Sequence, residues 1–249
     1  MSLRAENSGL RLRPFPQAAT FIAGRIRRAV RVRGTCDLVL AGGRTPRSVY
    51  ELLAQPEMTG PIPWDSVRLF WGDERFVPRE HEASNYRMAR EALLQAARPP
   101  AQNVFPMPTD SPDPEEAARR YERTLRGLFP SDPFPAFDLV LLGLGADGHT
   151  ASLFPGGPEC EERSRWCVAS RAPKGLPVHE RVTLTLPALN AARCVVFLVT
   201  GEDKRGALQA LLAARASGRS PAAGSELPVA ALPAERVRAR ELFCFTDLR

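Results

Sequence analysis

The segment FDLVLLGLGADGHTASLFPGG, residues 137–157, places an acid and an imidazole in one short loop. Asp147 and His149 follow an apolar run, Leu139 to Leu142, that breaks into glycines. Such a run predicts a strand buried in a parallel sheet, and open α/β sheets bind ligands beyond the carboxyl ends of their strands. Imidazole titrates near neutral pH, so His149 is a candidate general base. Asp147 either orients the imidazole or only caps the loop.

A second candidate feature is the loop Gly42, Gly43, Arg44 and Thr45, which follows a short predicted strand and precedes a helix. Backbone N–H groups, a hydroxyl and a helix N-terminus together can bind a phosphate or a developing oxyanion. The loop matches neither a Walker A motif nor a dinucleotide-binding motif. The letters GLGADG after Leu142 match the latter, but a histidine and a proline follow where a long helix should run, which predicts a loop.

Charged residues also stand at the ends of other predicted strands. Asp73, Glu74 and Arg75 form a predicted charged loop after the strand 67–71, and at least one of them is expected to reach a ligand. The forked donors of Arg75 suit a phosphate. Arg181 and Lys204 are further cation candidates, and Lys204 lies where the strand 194–199 gives way to a helix.

Several kinds of chemistry have no motif in this sequence. It contains no H-E-x-x-H motif and no cluster of cysteine and histidine, so we expect no metal. It contains no G-x-S-x-G motif, which argues against a serine hydrolase of the α/β-hydrolase type. His81 and His179 are expected on the surface. The five cysteines form no C-x-x-C pair, which favours reduced thiols in the cytoplasm.

The elements that must position these residues alternate along the chain. Helices are predicted over 18–32, from Thr45 as N-cap with Pro46 at the first helical position, over 85–97, from Pro114 with Asp113 as cap, and over about 204–214. Strands are predicted over 37–40, 67–71, 137–142, 166–170, 181–186, 194–199 and 242–246. This order predicts an α/β fold, Rossmann-like, with a mostly parallel sheet and helices on both faces. We expect one domain over 1–249, in which residues 1–14 could be a flexible N-terminal segment.

The composition favours a small anionic ligand over a macromolecular one. The formal net charge is +6, but the basic residues are spread along the chain without aromatic interleaving, so we expect no nucleic-acid partner. No run reaches the roughly 18 apolar residues of a membrane span, and the N-terminus lacks a signal-peptide core. We therefore expect a cytoplasmic protein without membrane contact.

Five blocks, in order, closely resemble the 6-phosphogluconolactonase family, which is grouped with glucosamine-6-phosphate isomerases. They are LAGGRTP at 40–46, WGDERFVP at 71–78 with SNYRMARE at 84–91, FDLVLLGLGADGHTASLFPG at 137–156, RVTLTLPALNAAR at 181–193 and TGEDK at 200–204. The resemblance implies the fold shared with glucosamine-6-phosphate deaminase and ribose-5-phosphate isomerase. It also implies hydrolysis of 6-phospho-D-glucono-1,5-lactone to 6-phospho-D-gluconate, in the oxidative pentose phosphate pathway of carbohydrate metabolism, without a metal or an organic cofactor.

The resemblance further implies a role for each candidate. His149 would activate water at the lactone carbonyl, with Asp147 and Asp73 in support. The cations implied to hold the 6-phosphate are Arg75, Arg181 and Lys204. The loop implied to line the same pocket is Gly42, Gly43 and Thr45, with Arg44 where many relatives have serine. The only partner expected is a small phosphosugar lactone, bound by a monomer or weak homo-oligomer.

Two other functions are weighed against this interpretation. Glucosamine-6-phosphate deaminases share the fold and a D-G-H loop, but they typically carry FNEP-like and MDEY-like stretches where this chain has SLFP and GDER. A non-catalytic sugar-phosphate sensor would normally be fused to a DNA-binding or partner domain, and we expect no spare segment long enough for one.

Overall fold

The computed structural model describes residues 9–176, 178–216 and 232–248, which contain ten strands in two sheets. The strands are β1 (Leu10–Pro14), β2 (Cys36–Leu40), β3 (Val67–Trp71), β4 (Asp73–Arg75), β5 (Val104–Phe105), β6 (Leu139–Gly143), β7 (Cys167–Arg171), β8 (Glu180–Leu184), β9 (Cys194–Val199) and β10 (Glu241–Thr246). The α-helices are α1 (Ala18–Arg33), α2 (Arg44–Leu53), α3 (Pro56–Thr59), α4 (Asn85–Ala89), α5 (Gln95–Ala97), α6 (Pro114–Leu128), α7 (Leu186–Asn190) and α8 (Arg205–Ala216). None of the helices within these ranges is both long and apolar enough to cross a membrane.

The larger sheet has the order β1-β10-β9-β6-β2-β3-β5, and every neighbouring pair in it is parallel. All residues of β2 and β9 are buried, as predicted by the apolar runs Leu38–Leu40 in β2 and Cys194–Val199 in β9. This arrangement confirms the Rossmann-like α/β class. Because all the strands run the same way, the loops after β2, β3, β6 and β9 meet at one edge of the sheet.

The smaller sheet, β4-β8-β7, is antiparallel and is not predicted as a unit from the sequence. The segment expected to be a charged loop contains a strand instead, because Asp73, Glu74 and Arg75 pair with β8. In this register Arg75 stands directly opposite Arg181. The expected strands at 166–170 and 181–186 lie at β7 and β8.

Helix ends agree with the sequence at some positions and differ at others. Asp113 caps α6 by accepting a hydrogen bond from the Glu116 N–H at 2.7 Å, as predicted. The prediction of Thr45 as the N-cap of α2 is wrong, because Gly43, with a φ of 102°, is the cap and the helix begins at Arg44. The helix expected over 85–97 is α4 and α5 joined by a π-helical turn, Arg90–Leu94.

The N-terminal segment is partly ordered by the sheet. Leu10–Pro14, within the segment 1–14 that could be flexible, forms edge strand β1 and pairs in parallel with β10. Residues 1–8 lie outside the described ranges. The single-domain organisation over 1–249 stays a prediction.

Candidate active site

A cleft of about 610 Å³ opens at the carboxyl edge of the parallel sheet. Eight of the ten predicted site residues line it: Gly42, Gly43, Arg44, Thr45, Asp73, Arg75, His149 and Lys204. Asp147 lies behind His149 and contacts its ring. Arg181 lines an adjoining side lobe of about 230 Å³. The structure therefore brings the ten predicted residues together, but it divides them between two spaces, which the sequence does not predict. That these residues form the functional site stays a prediction.

His149 and Asp147 form a hydrogen-bonded pair at the wall of the cleft. The ring Nδ1 of His149 lies 2.6 Å from Asp147 Oδ1, which also accepts from the His149 backbone N–H at 3.1 Å. Partial burial of Asp147 acts to raise its pKa, but the hydrogen bonds and charge of His149 outweigh burial and hold the pKa below its usual value. An ionised carboxylate can only accept, so in the neutral ring Nδ1 carries the proton and Nε2 carries the lone pair.

Two glycines allow the loop to hold this pair. A Cβ atom at Gly145 would collide with His149 Nδ1 and with Asp147 Oδ1, so only glycine leaves room for the ring. Gly148 has a φ of +83°, a left-handed conformation that favours glycine. The Gly145 N–H donates to the His149 carbonyl at 2.8 Å, which closes the loop. The prediction that GLGADG is a loop is confirmed from Leu144 onward, whereas Gly143 is the last residue of β6.

One end of the cleft combines a helix N-terminus with a lysine. Arg44 and Thr45 are the first residues of α2, where backbone N–H groups have no partner inside the helix. The hydroxyls of Thr45 and Thr200 lie 2.6 Å apart. Lys204 Nζ lies 3.1 Å from Asp203 Oδ2, and its side chain is 27% exposed. We call this the open end, defined by Arg44, Thr45 and Lys204.

Asp73 is buried beneath the cleft and is held by two residues that were not predicted as part of the site. The Ser152 hydroxyl donates to Asp73 Oδ2 at 2.6 Å, and Asn85 Nδ2 donates to the Asp73 carbonyl at 2.9 Å. A Cβ at Gly42 would collide with the Asn85 amide, so the first glycine of the loop is needed for this packing. Both residues lie in blocks quoted above, DGHTAS and SNYR, and that was the only signal for them in the sequence.

Glu74 ties β4 to the start of α4. Its carboxylate accepts from the backbone N–H groups of Arg75, Asn85 and Tyr86 at 2.7 to 2.8 Å and from the Ser84 hydroxyl at 3.2 Å. Burial raises the pKa of Glu74 to about 7, although the three backbone donors act to lower it. Glu74 thus links the backbone of β4 at Arg75 to the backbone at the start of α4.

The side lobe is dominated by two arginines. Arg181 is 5% exposed and its Nε has no hydrogen-bond partner. Burial, and then the charge of Arg75, lower the pKa of Arg181. Arg75 donates from Nη1 to the Ala83 carbonyl at 2.6 Å. The lobe shares His149, Asp73, Arg75 and Ala151 with the main cleft.

The remaining candidates lie away from this chemistry. His81 and His179 are exposed, as expected, and both line a separate groove. The five cysteines are buried free thiols. No group of three or more His, Cys, Asp or Glu side chains in the described ranges could hold a metal ion. That the protein needs no metal or organic cofactor stays a prediction.

Comparison with known proteins decides the family. A sequence model described as "Glucosamine-6-phosphate isomerases/6-phosphogluconolactonase" matches residues 15–239. The chain belongs to this family. Among curated family members, a 6-phosphogluconolactonase of Synechocystis is 44% identical over 202 residues, which cover 80% of this chain and 81% of the relative. A 6-phosphogluconolactonase of Mycobacterium tuberculosis is 39% identical over 210 residues, which cover 82% and 83%.

A solved structure within the family agrees with the fold. The 6-phosphogluconolactonase of Thermotoga maritima superposes with a TM-score of 0.78 at 32% identity, covering 95% of this chain and 98% of that one. The curated relatives and this structure carry the lactonase name rather than the isomerase name.

Proposed function

We propose that this protein hydrolyses 6-phospho-D-glucono-1,5-lactone to 6-phospho-D-gluconate. The observation that carries the proposal is the His149–Asp147 pair, joined at 2.6 Å in the wall of a cleft that also holds a cationic end. A neutral imidazole whose Nε2 carries a lone pair suits removal of a proton from an attacking water. An end with a lysine and a helix N-terminus suits a phosphate.

The proposed reaction begins with proton removal from water by Nε2 of His149. The water oxygen forms a bond to C1 of the lactone, and the carbonyl oxygen becomes an oxyanion. When the tetrahedral intermediate collapses, the bond from C1 to the ring oxygen breaks, and the imidazolium gives its proton to that oxygen. The new carboxylic acid then loses a proton to solvent, so the reaction releases acid. Asp147 stabilises the imidazolium formed on the way.

The open end supports binding of the 6-phosphate. Lys204 supplies a charge, Thr45 a hydroxyl, and the first turn of α2 supplies backbone N–H groups and the helix dipole. Arg44 is exposed at the same helix start and adds a second charge where many relatives are expected to have serine. Asp73 is a positioning residue in this scheme, since its carboxylate is engaged by Ser152. Cytoplasmic location and a monomeric or weakly oligomeric state stay predictions.

The test is acid release from freshly generated 6-phosphogluconolactone, measured above the spontaneous rate. His149→Asn should lower kcat about 100- to 10,000-fold, the range for loss of a general base, with little change in KM. His81→Asn, at an exposed histidine outside the cleft, is the matched control and should match the wild type. No acceleration by the wild type would refute the proposal, and ammonia release from glucosamine 6-phosphate would assign the deaminase activity instead.

A further inference from the structure

The side lobe holds two positive charges that no described carboxylate neutralises by an ion pair. Arg181 and Arg75 stand opposite each other in the β4–β8 register. The nearest negative charges that act on Arg181 are those of Asp73 and Glu74. Both carboxylates accept hydrogen bonds from other residues, Asp73 from Ser152 and Glu74 from four donors, and neither forms an ion pair with Arg75 or Arg181. Asp73 is the carboxylate in the lining of the lobe, so its single negative charge offsets one of the two arginines and leaves the lining with a net positive charge.

Such an arrangement is unfavourable in the empty protein. Burying a charge without a partner is costly, and two like charges side by side raise that cost. Arg181 is almost fully buried, and its Nε lacks any partner. An anion that enters the lobe would satisfy both guanidinium groups, and their planar forks suit a carboxylate as well as a phosphate.

The position of the lobe favours the C1 end of the substrate over the phosphate. His149 lines both the cleft and the lobe, so the lobe begins where the proposed reaction occurs. Lys204 and the start of α2 line the cleft but not the lobe. The reaction converts a neutral lactone into a C1 oxyanion and then a carboxylate, so one new negative charge appears beside His149.

We propose that Arg181, with Arg75, forms an anion subsite for the C1 oxyanion and the product carboxylate, separate from the phosphate subsite at the open end. The proposal rests on the lactonase function proposed above. It assigns these two arginines a role different from the phosphate binding that the family resemblance implies. Stabilisation of charge that appears only during the reaction also favours the transition state over the neutral substrate.

Three ligands separate the two subsites when their binding is measured by calorimetry. 6-Phosphogluconate carries a carboxylate and a phosphate, glucitol 6-phosphate carries only the phosphate, and gluconate carries only the carboxylate. Arg181→Gln should weaken 6-phosphogluconate and gluconate about 10- to 100-fold, the loss of a charge-assisted hydrogen bond, and leave glucitol 6-phosphate nearly unchanged. The matched variant Lys204→Gln should weaken both phosphorylated ligands alike and spare gluconate.

The fold of the variant is checked by its melting temperature without ligand. Arg181→Gln should melt at or above the wild-type temperature, because it removes an unpaired buried charge. Arg181→Lys keeps the positive charge but lacks the guanidinium group, so it should bind 6-phosphogluconate with intermediate affinity. This variant replaces Arg181→Gln in the test if the glutamine variant does not fold.

Two binding outcomes overturn the subsite. Equal weakening of 6-phosphogluconate and glucitol 6-phosphate by Arg181→Gln would place the phosphate in the lobe. No weakening of either ligand would show that the lobe takes no part of the substrate. Either result, obtained with a wild type that is an active lactonase, overturns the subsite alone; a wild type without lactonase activity overturns the proposed function.

Discussion

The two cationic regions of the site are built on different principles. The open end lies on the parallel sheet and uses a helix start and a lysine that is 27% exposed. The side lobe lies on the small antiparallel sheet and uses Arg181, which is 5% exposed, opposite Arg75. A partly exposed lysine can follow a mobile phosphate, but water and salt screen its charge. A buried arginine is screened far less and is fixed in place, which suits charge that forms at one defined atom.

The difference suggests how the work is divided in the proposed reaction. Phosphate is present in substrate, transition state and product alike, so binding it lowers KM without selecting the transition state. The C1 charge exists only after attack has begun. The side lobe is energetically unfavourable when empty and is stabilised when the C1 charge forms. It therefore lowers the barrier of the reaction and contributes to kcat. His149 lies between the two regions and lines both spaces.

The largest effect should come from moving the base that lies between the regions. Gly145→Ala would place a Cβ against His149 Nδ1 and Asp147 Oδ1, so the ring must shift. We expect kcat to fall about 100-fold or more, since proton transfer depends on the position of the base, while glucitol 6-phosphate still binds at the open end.

The control for this change is Gly127→Ala in α6, where a Cβ meets no atom within 4 Å. That variant should keep wild-type kcat. A normal kcat in Gly145→Ala would mean that the His149–Asp147 contact is dispensable. The proposed reaction would then need a different general base between the two regions.

The parts of this comparison that the sequence predicts are the local ones. The strands 67–71 and 194–199 are found at those bounds, because 194–199 is an unbroken apolar run and 67–71 is interrupted only by Arg68. The loop with His149 follows from the glycines after Leu142. The predicted start of α2 is wrong by two residues, because the positive φ of Gly43 lets the helix begin at Arg44 instead of Pro46. The Thr45 hydroxyl then contacts that of Thr200.

The division between the two regions depends on contacts between distant segments. Arg181 lies within β8 and Lys204 follows β9, and no local sequence pattern indicates that these two strands belong to different sheets. The triplet Asp73 to Arg75 has no apolar pattern and becomes a strand only through its pairing with β8. Asn85 joins the site because its amide packs on Gly42, a contact between two loops.

A smaller effect concerns how the stability of the protein depends on the protonation of Glu74, which lies next to Arg75 of the side lobe. Burial raises the pKa of Glu74 from 4.5 to about 7 in the folded protein. The stability that the protonated form contributes is therefore fully present below about pH 4.5 and is lost as the pH rises through 7. In Glu74→Gln the group is neutral at every pH. The melting temperature of the wild type minus that of the variant should thus fall by several degrees between pH 5 and pH 8.

Glu57→Gln, at an exposed glutamate of α3, is the control and should show a difference that does not change with pH. A wild-type advantage that grows with pH would contradict the expectation. It would mean that the four donors around Glu74 favour the ionised form more than burial disfavours it, and the wall of the side lobe would then carry a fixed negative charge.

The smallest effect is expected at the open end, where an exposed acid competes with the phosphate for the lysine. Asp203 Oδ2 lies 3.1 Å from Lys204 Nζ, and the Asp203 side chain is 66% exposed. Asp203→Asn should tighten glucitol 6-phosphate binding by about two- to fivefold at low salt, consistent with the small energies of exposed ion pairs. Asp110→Asn, outside the cleft, is the control.

Because screening acts on exposed charges, the gain in Asp203→Asn should vanish in 0.5 M salt, whereas the Arg181 effect on 6-phosphogluconate should persist. If salt removes both effects equally, the buried and exposed regions do not differ in screening, and the physical contrast between them is wrong.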